Sequence, residues 1–547
     1  MSAEPVVTPS APPARGGGKA AVVAAAIFLS RIAGLVRERV IATSFGSGMH
    51  ADIFSAALRI PNVIQNLLGE GTLTASFVPV YGRLVAQGRN AEAGRVAGAL
   101  FALLLAVAAA VSLLGLLTAP GIVAVLTPGF SGTRRELMIG AIRLLFPMVG
   151  FLVLSAWALS ILNSHRQFFV PYVAPVLWNA AIVAGLLIAR RHHDLDAVLT
   201  AAAWGALVGG VLQFVIQLPW VLRVNRDIRI NTELRNPHVV MAMKNAGPAI
   251  LGRGAVQLSG YVDLMLASLL AVGAVARLRY AQTLYMLPFS LIAASIAAVE
   301  LAEMSREASD LNAVRVRAEA ATRRIAFLIV PSALACIALG GPLVTLVYQG
   351  GAFSSSDVPI VWAILAVFGV GMLASTQSRI YQSAMAAMHD TATPARIATL
   401  RIIVATGVSI LAILLLEPVS IGGLTTFHAP MHQWQLGNAS LGPLGIAFGS
   451  SCGAWLEWLL LHAALTRKLG HLGHGRDAWL KSLLGATIAA AAGVAVYLLA
   501  NRDTMLFSFL AVGIFGTAYL AITFTMGLPE ARELVGRFLR RAGGRAR

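Results

Sequence analysis

Charged side chains are scarce in this sequence. Asp, Glu, Lys and Arg make up 12% of its 547 residues, against 57% hydrophobic types. Soluble domains are about a quarter charged, and a soluble fold of this length could not cover itself with so few charges. A soluble enzyme, a disordered chain and a nucleic-acid-binding domain are thereby excluded as the main reading. Acids are scarcer than bases, 24 against 42, leaving a formal net charge of +18. Excess Lys and Arg marks the cytoplasmic loops of membrane proteins, and part of it can serve an anionic substrate or anionic lipids. The only two cysteines, Cys336 and Cys452, lie inside apolar runs. That excludes a disulfide framework and any zinc-ligand spacing. The phosphate-loop pattern GxxxxGK(S/T) is absent, so the chain does not itself hydrolyse nucleotide. No helical His-x-x-x-His pair with a supporting carboxylate occurs, and the histidines at 165, 192, 193, 389, 428 and 432 read as solvated.

What the sequence does have is long apolar runs, with a mean hydropathy of +0.76. Fourteen segments, the first at 20–45, the second at 52–83 and the last at 504–527, are long enough to span a bilayer. The expected fold is an all-α polytopic membrane protein of 14 transmembrane helices. With the amino terminus inside, basic clusters such as Arg223 to Arg235, Arg306 to Arg324 and Arg532 to Arg547 fall on the cytoplasmic side, and both termini are cytoplasmic. Gly48, Ala51, Ala56 and Pro61 recur about 225 residues later as Gly273, Ala276, Ala281 and Pro288. Pro120 and Pro175 recur as Pro342 and Pro394. Six helices separate the copies, which implies two pseudo-symmetric six-helix lobes of parallel orientation plus two C-terminal helices. The expected organisation is a disordered cytoplasmic tail at 1–19, an N-lobe at 20–235, a C-lobe at 236–470, helices 13 and 14 at 471–530, and a basic cytoplasmic tail at 531–547.

An ionisable side chain within a span is costly and marks function by default. Arg31 and Arg37 lie in the first span, Arg59 and Glu70 in the second, Arg253 and Asp263 in the seventh, and Arg379 in the tenth. Others, Arg39, Arg277, Arg279, Glu300, Glu303, Arg396 and Arg401, lie near span ends, where snorkelling or mutual pairing explains them equally well. Arginines outnumber acids, and guanidinium forks suit phosphate and carboxylate oxygens. The physics favours a transporter of an anionic, phosphate-bearing or carboxylate-bearing substrate.

The segment SRIAGLVRERVIATSFGSGMHADIFSAALRIPNVIQNLLGEGTLTASFVPVYGRL at 30–84 closely resembles the start of the MurJ (MviN) family, lipid II flippases of the multidrug/oligosaccharidyl-lipid/polysaccharide exporter superfamily. Further similar stretches run at 146–179, 209–222 and 247–270, and the resemblance covers roughly 20–530. It implies a central cavity that holds the diphosphate-sugar-peptide head of lipid II, and a groove at the last two helices for its polyprenyl tail. Arg31 and Arg37 match cavity arginines of the family. Asp52 matches an important acid at the outer end of helix 2, Glu70 falls in the Gly-Glu-Gly motif, and Asp263 matches a polar position of helix 7. Arg379 stands where the family often has a basic residue. Gln65 and Thr283 occupy two positions where the family commonly has arginine, and Arg253 is expected to restore part of the lost charge.

Substrate binding is therefore expected at Arg31, Arg37, Arg59, Arg253, Gln65 and Thr283, and gating or ion coupling at Asp52, Glu70, Asp263 and Arg379. The expected activity is translocation of lipid II from the inner to the outer leaflet of a bacterial cytoplasmic membrane by alternating access, with no bond made or broken. No cofactor is expected beyond a coupling cation. Expected partners are lipid II and the membrane, with cell-wall synthesis proteins as candidates and no nucleic acid. The alternatives are export of another polyprenyl-diphosphate-linked oligosaccharide and a non-transporting scaffold for cell-wall assembly.

Overall fold

Apolar runs interrupted by glycine, proline and Asx caps become a succession of helices in the computed structural model. It describes residues 17–192, 194–421, 424–427, 430–431, 435–436, 439–473, 476–499 and 505–543. The helices are α1 (Gly17–Phe45), α2 (Met49–Leu68), α3 (Glu70–Ser76), α4 (Val78–Ala86), α5 (Asn90–Leu126), α6 (Gly132–Ser164), α7 (Phe169–Ala189), α8 (Leu195–Val215), α9 (Leu218–Val224) and α10 (Pro237–Ser268). They continue as α11 (Ala274–Pro288), α12 (Ala294–Arg306), α13 (Leu311–Ala338), α14 (Gly340–Tyr348), α15 (Val358–Ala387), α16 (Ala392–Leu416), α17 (Gly442–Leu469), α18 (Arg476–Leu499), α19 (Met505–Thr525) and α20 (Pro529–Gly543). Among the described residues, 11 helical segments are long and apolar enough to cross a membrane. The arginine-bearing α1, α2 and α10 occupy the other three expected segments. The architecture is that of an all-α polytopic membrane protein, and the number of helices is consistent with fourteen spans.

Local chemistry explains where the helices break. The run at 52–83, expected as one span, divides into α2, α3 and α4. At Gly69 the chain passes so close to Gln65 that a Cβ would lie 2.3 Å from its carbonyl oxygen, and Pro79 then starts α4. Past Pro288, which cannot donate to the helix ladder, the turn Phe289–Ala293 widens into a π-helix before α12 resumes. Asp194 and Asp310 cap α8 and α13 by accepting from amides two and three residues on. The segment between α16 and α17 departs from an all-helical reading. Val419–Ile421 pairs antiparallel with Leu424–Phe427, and Gln435–Leu436 with Ala439–Ser440.

The internal repeat has a structural signature. Among the described residues, the non-glycine residues with positive φ are Arg166 (58°) and His389 (60°), 223 positions apart. They close α6 and α15 in the same way. The Arg166 and Gln167 amides bond the Asn163 and Leu162 carbonyls, as the His389 and Asp390 amides bond Ala386 and Met385. Both are Schellman caps on a left-handed residue that is not glycine.

The chain forms two compact units. Unit 1 holds residues up to Arg37, Leu58–Thr118 and Ala141–Ala255. Unit 2 holds Glu38–Ala57, Ala119–Gly140 and Val256–Arg547. The core of unit 1 is Phe77, Tyr81, Leu100, Trp157, Ile161 and Phe214 with their neighbours. The Trp157 ring N–H donates to the Ala97 carbonyl at 3.1 Å. In unit 2, α13, α18 and α19 share a core of Phe327, Val330, Ala486, Ala511 and Phe515, with the Tyr519 hydroxyl donating to the Phe327 carbonyl. Outward faces carry the large apolar residues expected against lipid, such as Leu113, Leu114 and Leu117 on α5.

Between α15 and α16, Asp390 accepts from Lys468 and from the Thr393 amide. These donors hold its carboxyl well below the ordinary carboxylate range. A carboxylate with a depressed folded pKa contributes stability above its unfolded value of about 4, and loses it as pH falls through the folded value. Asp390→Asn should therefore lower thermal stability at neutral pH and reduce its dependence on pH below about 4. Melting curves of the purified protein in detergent check this. An unchanged acid dependence would show that other groups set it.

Candidate functional site

Asp52 lies in the first turn of α2 and is fully buried within unit 2. Its Oδ2 accepts from the Gly273 amide at 2.7 Å and from Arg134 Nη2 at 2.5 Å, and its Oδ1 accepts from the Ala276 amide at 2.8 Å. Gly273 is the N-cap of α11, with φ +96°. A Cβ there would sit 2.2 Å from the Ser47 carbonyl oxygen. The first amides of a helix lack intrahelical partners and its amino end favours an anion. Here the cap comes from a carboxylate 221 residues away. The Arg134 guanidinium, also buried, stacks over the Phe130 ring at 3.6 Å. Breaking a buried pair by removing one partner typically costs about 3–5 kcal/mol.

Other contacts in unit 2 hold this corner shut. Arg277 Nε donates to Ser47 Oγ at 3.2 Å, and Ser47 Oγ donates to Asp357. The Ala352 amide reaches the Thr43 carbonyl at 2.9 Å, and the Tyr280 hydroxyl reaches Gly46 at 2.8 Å. Arg279 pairs with buried Glu38 at 2.8 Å. Arg39 donates to the Leu346 and Val347 carbonyls at the end of α14, where a cation suits the helix. Buried Glu417 accepts from the Ala271 and Gly442 amides, so carboxylates hold the loop at 269–273 at its middle and at its end. In the sequence repeat, Asp52 and Arg277 occupy equivalent places after Gly48 and Gly273. The acid of one copy caps the other copy's helix, and the base of that copy bonds the Ser47 ahead of the first.

In unit 1, Arg37 is half-buried. Its Nη1 donates to Asn179 Oδ1 at 2.9 Å, and its guanidinium lies 4.9 Å from the Trp178 ring centroid. Trp178 is itself held, its ring N–H 3.1 Å from the Ala206 carbonyl and 3.3 Å from Met148 Sδ. Asn179 donates to Pro175. The result is a cation within a span, aimed by an amide and an aromatic face.

The remaining expected residues are spread over both units. Arg31 is exposed on α1, Arg59 and Gln65 are half-buried on α2, and Glu70 is exposed at the start of α3. Asp263 is half-buried on α10. Thr283 donates back to the Arg279 carbonyl of its own helix. Arg379 is exposed on α15, 5.6 Å from the Phe289 ring. Arg253 falls in α10, but its side chain lies outside the described residues, as do His193, His428 and His432. Among the described residues, no three His, Cys, Asp or Glu side chains gather as a metal cluster. Sequence reasoning missed Arg134 and Glu417, which no motif marks. It also left Arg279 and Arg401 undecided. Arg401 pairs with buried Glu457 at 2.7 Å, and Glu457 also accepts from Gln382.

The family model for lipid II flippase MurJ matches residues 41–516. The chain belongs to the MurJ family. Curated relatives agree. The lipid II flippase MurJ of Burkholderia cenocepacia is 31% identical over 379 residues, 68% of this chain and 73% of the relative. The probable lipid II flippase MurJ of Rhizobium tropici is 29% identical over 520 residues, 92% and 90% of the two chains. Among solved structures, a lipid II flippase MurJ in an inward closed conformation superposes with a TM-score of 0.74 at 22% identity, covering 94% of this chain and all of that one. An inward-facing MATE-family transporter of the MOP superfamily superposes at 0.63 with 16% identity, covering 83% and 98%. These likenesses establish the MurJ fold for this chain, and membership makes it a multi-pass membrane protein of a transporter family.

Proposed function

We propose that the chain carries lipid II from the inner to the outer leaflet of a bacterial cytoplasmic membrane, with both termini cytoplasmic. The observation that supports this reading is Arg37, a cation within a span that matches a cavity arginine of the family and is oriented by Asn179 and Trp178. Arg31 and Arg59 add charge along the same unit. The Asp52–Arg134 latch is the gate, whose breaking frees the amino end of α11. Outward movement of a negative head group gains about 2.3 kcal/mol per charge per 100 mV of inside-negative potential. A coupling cation resets the carrier, with Glu70 and Asp263 as its candidate sites and Arg379 as a gating residue. Arg253 supplements the head-group charge, and cell-wall synthesis proteins receive the product.

Gln65 and Thr283, neutral where the family commonly has arginine, favour a second reading in which the cargo is a different polyprenyl-diphosphate-linked oligosaccharide. The test is depletion rescue. Expressed in cells stripped of their own flippase, the chain should restore lipid II exposure on the outer leaflet. Failure to expose lipid II, with the protein present in the membrane, overturns the first reading. Restored growth without lipid II exposure, unaffected by neutralising Arg31 and Arg37 together, points to a non-transporting scaffold.

A further inference from the structure

We propose that Arg143 binds phosphate on the substrate path, supplying positive charge that Gln65 and Thr283 do not. The inference rests on the lipid-linked diphosphate reading and adds to it a residue on a different helix. Of the spans that run mostly through unit 1, α6 is the most enclosed: 61% of its apolar window is buried, against 22% for α5 and 28% for α7. Its neighbours show large apolar residues to the outside, Leu113, Leu114 and Leu117 on α5 and Trp204, Val208 and Leu212 on α8. No large apolar side chain of α6 is exposed. Past Pro147 all of α6 is buried or half-buried, and the exposed positions before it include Glu136, Gly140 and Arg143.

Arg143 lies roughly 16 Å along the axis from Gly132, at about 1.5 Å per residue. An unpaired charge at that depth is expensive against lipid, and a strip without large apolar side chains does not fit acyl chains. Such a strip suits water better than lipid. Four residues on, Pro147 has no N–H to give the Arg143 carbonyl, so a second polar atom lies at the same level. The structural arginines of this chain are paired, Arg134 with Asp52, Arg279 with Glu38 and Arg401 with Glu457. Among the described residues Arg143 has neither an ion pair nor a hydrogen bond. Five residues on and about 140° round the helix, Met148 Sδ touches the Trp178 ring on which Arg37 lies, so α6 carries both Arg143 and a neighbour of the Arg37 site. A fork of five donors, exposed and without an acceptor among the described residues, suits phosphate oxygens.

The experiment uses the full chain in detergent and in liposomes, with lipid II and inorganic pyrophosphate as probes. Arg143→Ala should weaken lipid II binding about tenfold or more, as loss of a charge-assisted contact does. It should also raise the pyrophosphate concentration needed to compete. Arg143→Lys should recover part of both, and melting temperature should stay at the parent value in each variant. Affinity and competition within twofold of the parent in a folded Arg143→Ala protein overturn the proposal. So does equal loss in Ala and Lys variants accompanied by lowered melting. If the parent ignores lipid II but binds pyrophosphate in an Arg143-dependent way, the lipid II reading fails and the phosphate site stands.

Discussion

Asp52→Ala is expected to abolish lipid II transport and to leave the corner around α11 open. The substitution removes three acceptor contacts at once and strands the Arg134 guanidinium in a buried pocket beside Phe130. The local cost is about 3–5 kcal/mol. A shift of about 5.5 kcal/mol carries a two-state equilibrium from 1:99 to 99:1, so this loss is enough to change which state dominates. Asp52→Asn keeps an oxygen that can cap α11 but loses the ion pair, and its defect should be smaller. Arg134→Ala leaves the two amide contacts in place and should be the mildest of the three. A cysteine introduced at buried Ser268 reports the opening. An impermeant maleimide should label it faster in spheroplasts carrying Asp52→Ala than in the parent. Equal labelling with intact transport would show that the carboxylate is only a structural cap.

The second large effect belongs to Arg37. On the proposed function, its loss is expected to remove a charge-assisted contact of about 1.5–3 kcal/mol, a fall of roughly 10- to 100-fold in head-group affinity. Asn179→Ala and Trp178→Ala keep the charge but free its direction, and should weaken binding by several-fold each. Combining either with Arg37→Ala should add little, because residues of one contact network are not additive. Titration of lipid II onto the purified protein reads all five variants. Full additivity would place Asn179 and Trp178 outside the Arg37 site.

The sequence makes Arg37 legible because a charge inside an apolar run stands out against its surroundings. Asp52 is legible only through the family motif, since it begins a helix where acids are common. Its partners are hidden for a physical reason: Gly273 and Ala276 contribute main-chain N–H groups, and backbone donors leave no residue type to find. Arg134 looks like any loop arginine until the fold brings it 2.5 Å from a carboxylate 82 residues earlier. The apolar run at 52–83 reads as one helix because hydropathy does not register the close approach at Gly69. Arg143 is likewise a charge inside an apolar run, but its significance lies in exposure, which depends on what packs around α6. The repeat, by contrast, is visible early through Gly48 and Gly273. The structure adds the paired left-handed caps at Arg166 and His389.

The loop held between Glu417 and Asp52 has a consequence for how this protein tolerates sequence change. Both carboxylates grip peptide groups, at Ala271, Gly273 and Ala276. A fastening made to peptide groups is indifferent to most side chains that the loop could carry. The exposed Ala271 and Val272 can therefore drift in chemistry, while the fastening acids cannot. Gly273 is the exception, fixed by the space it must leave empty. An amide-to-ester replacement at Gly273 or Ala276 would disturb the latch without altering any side chain.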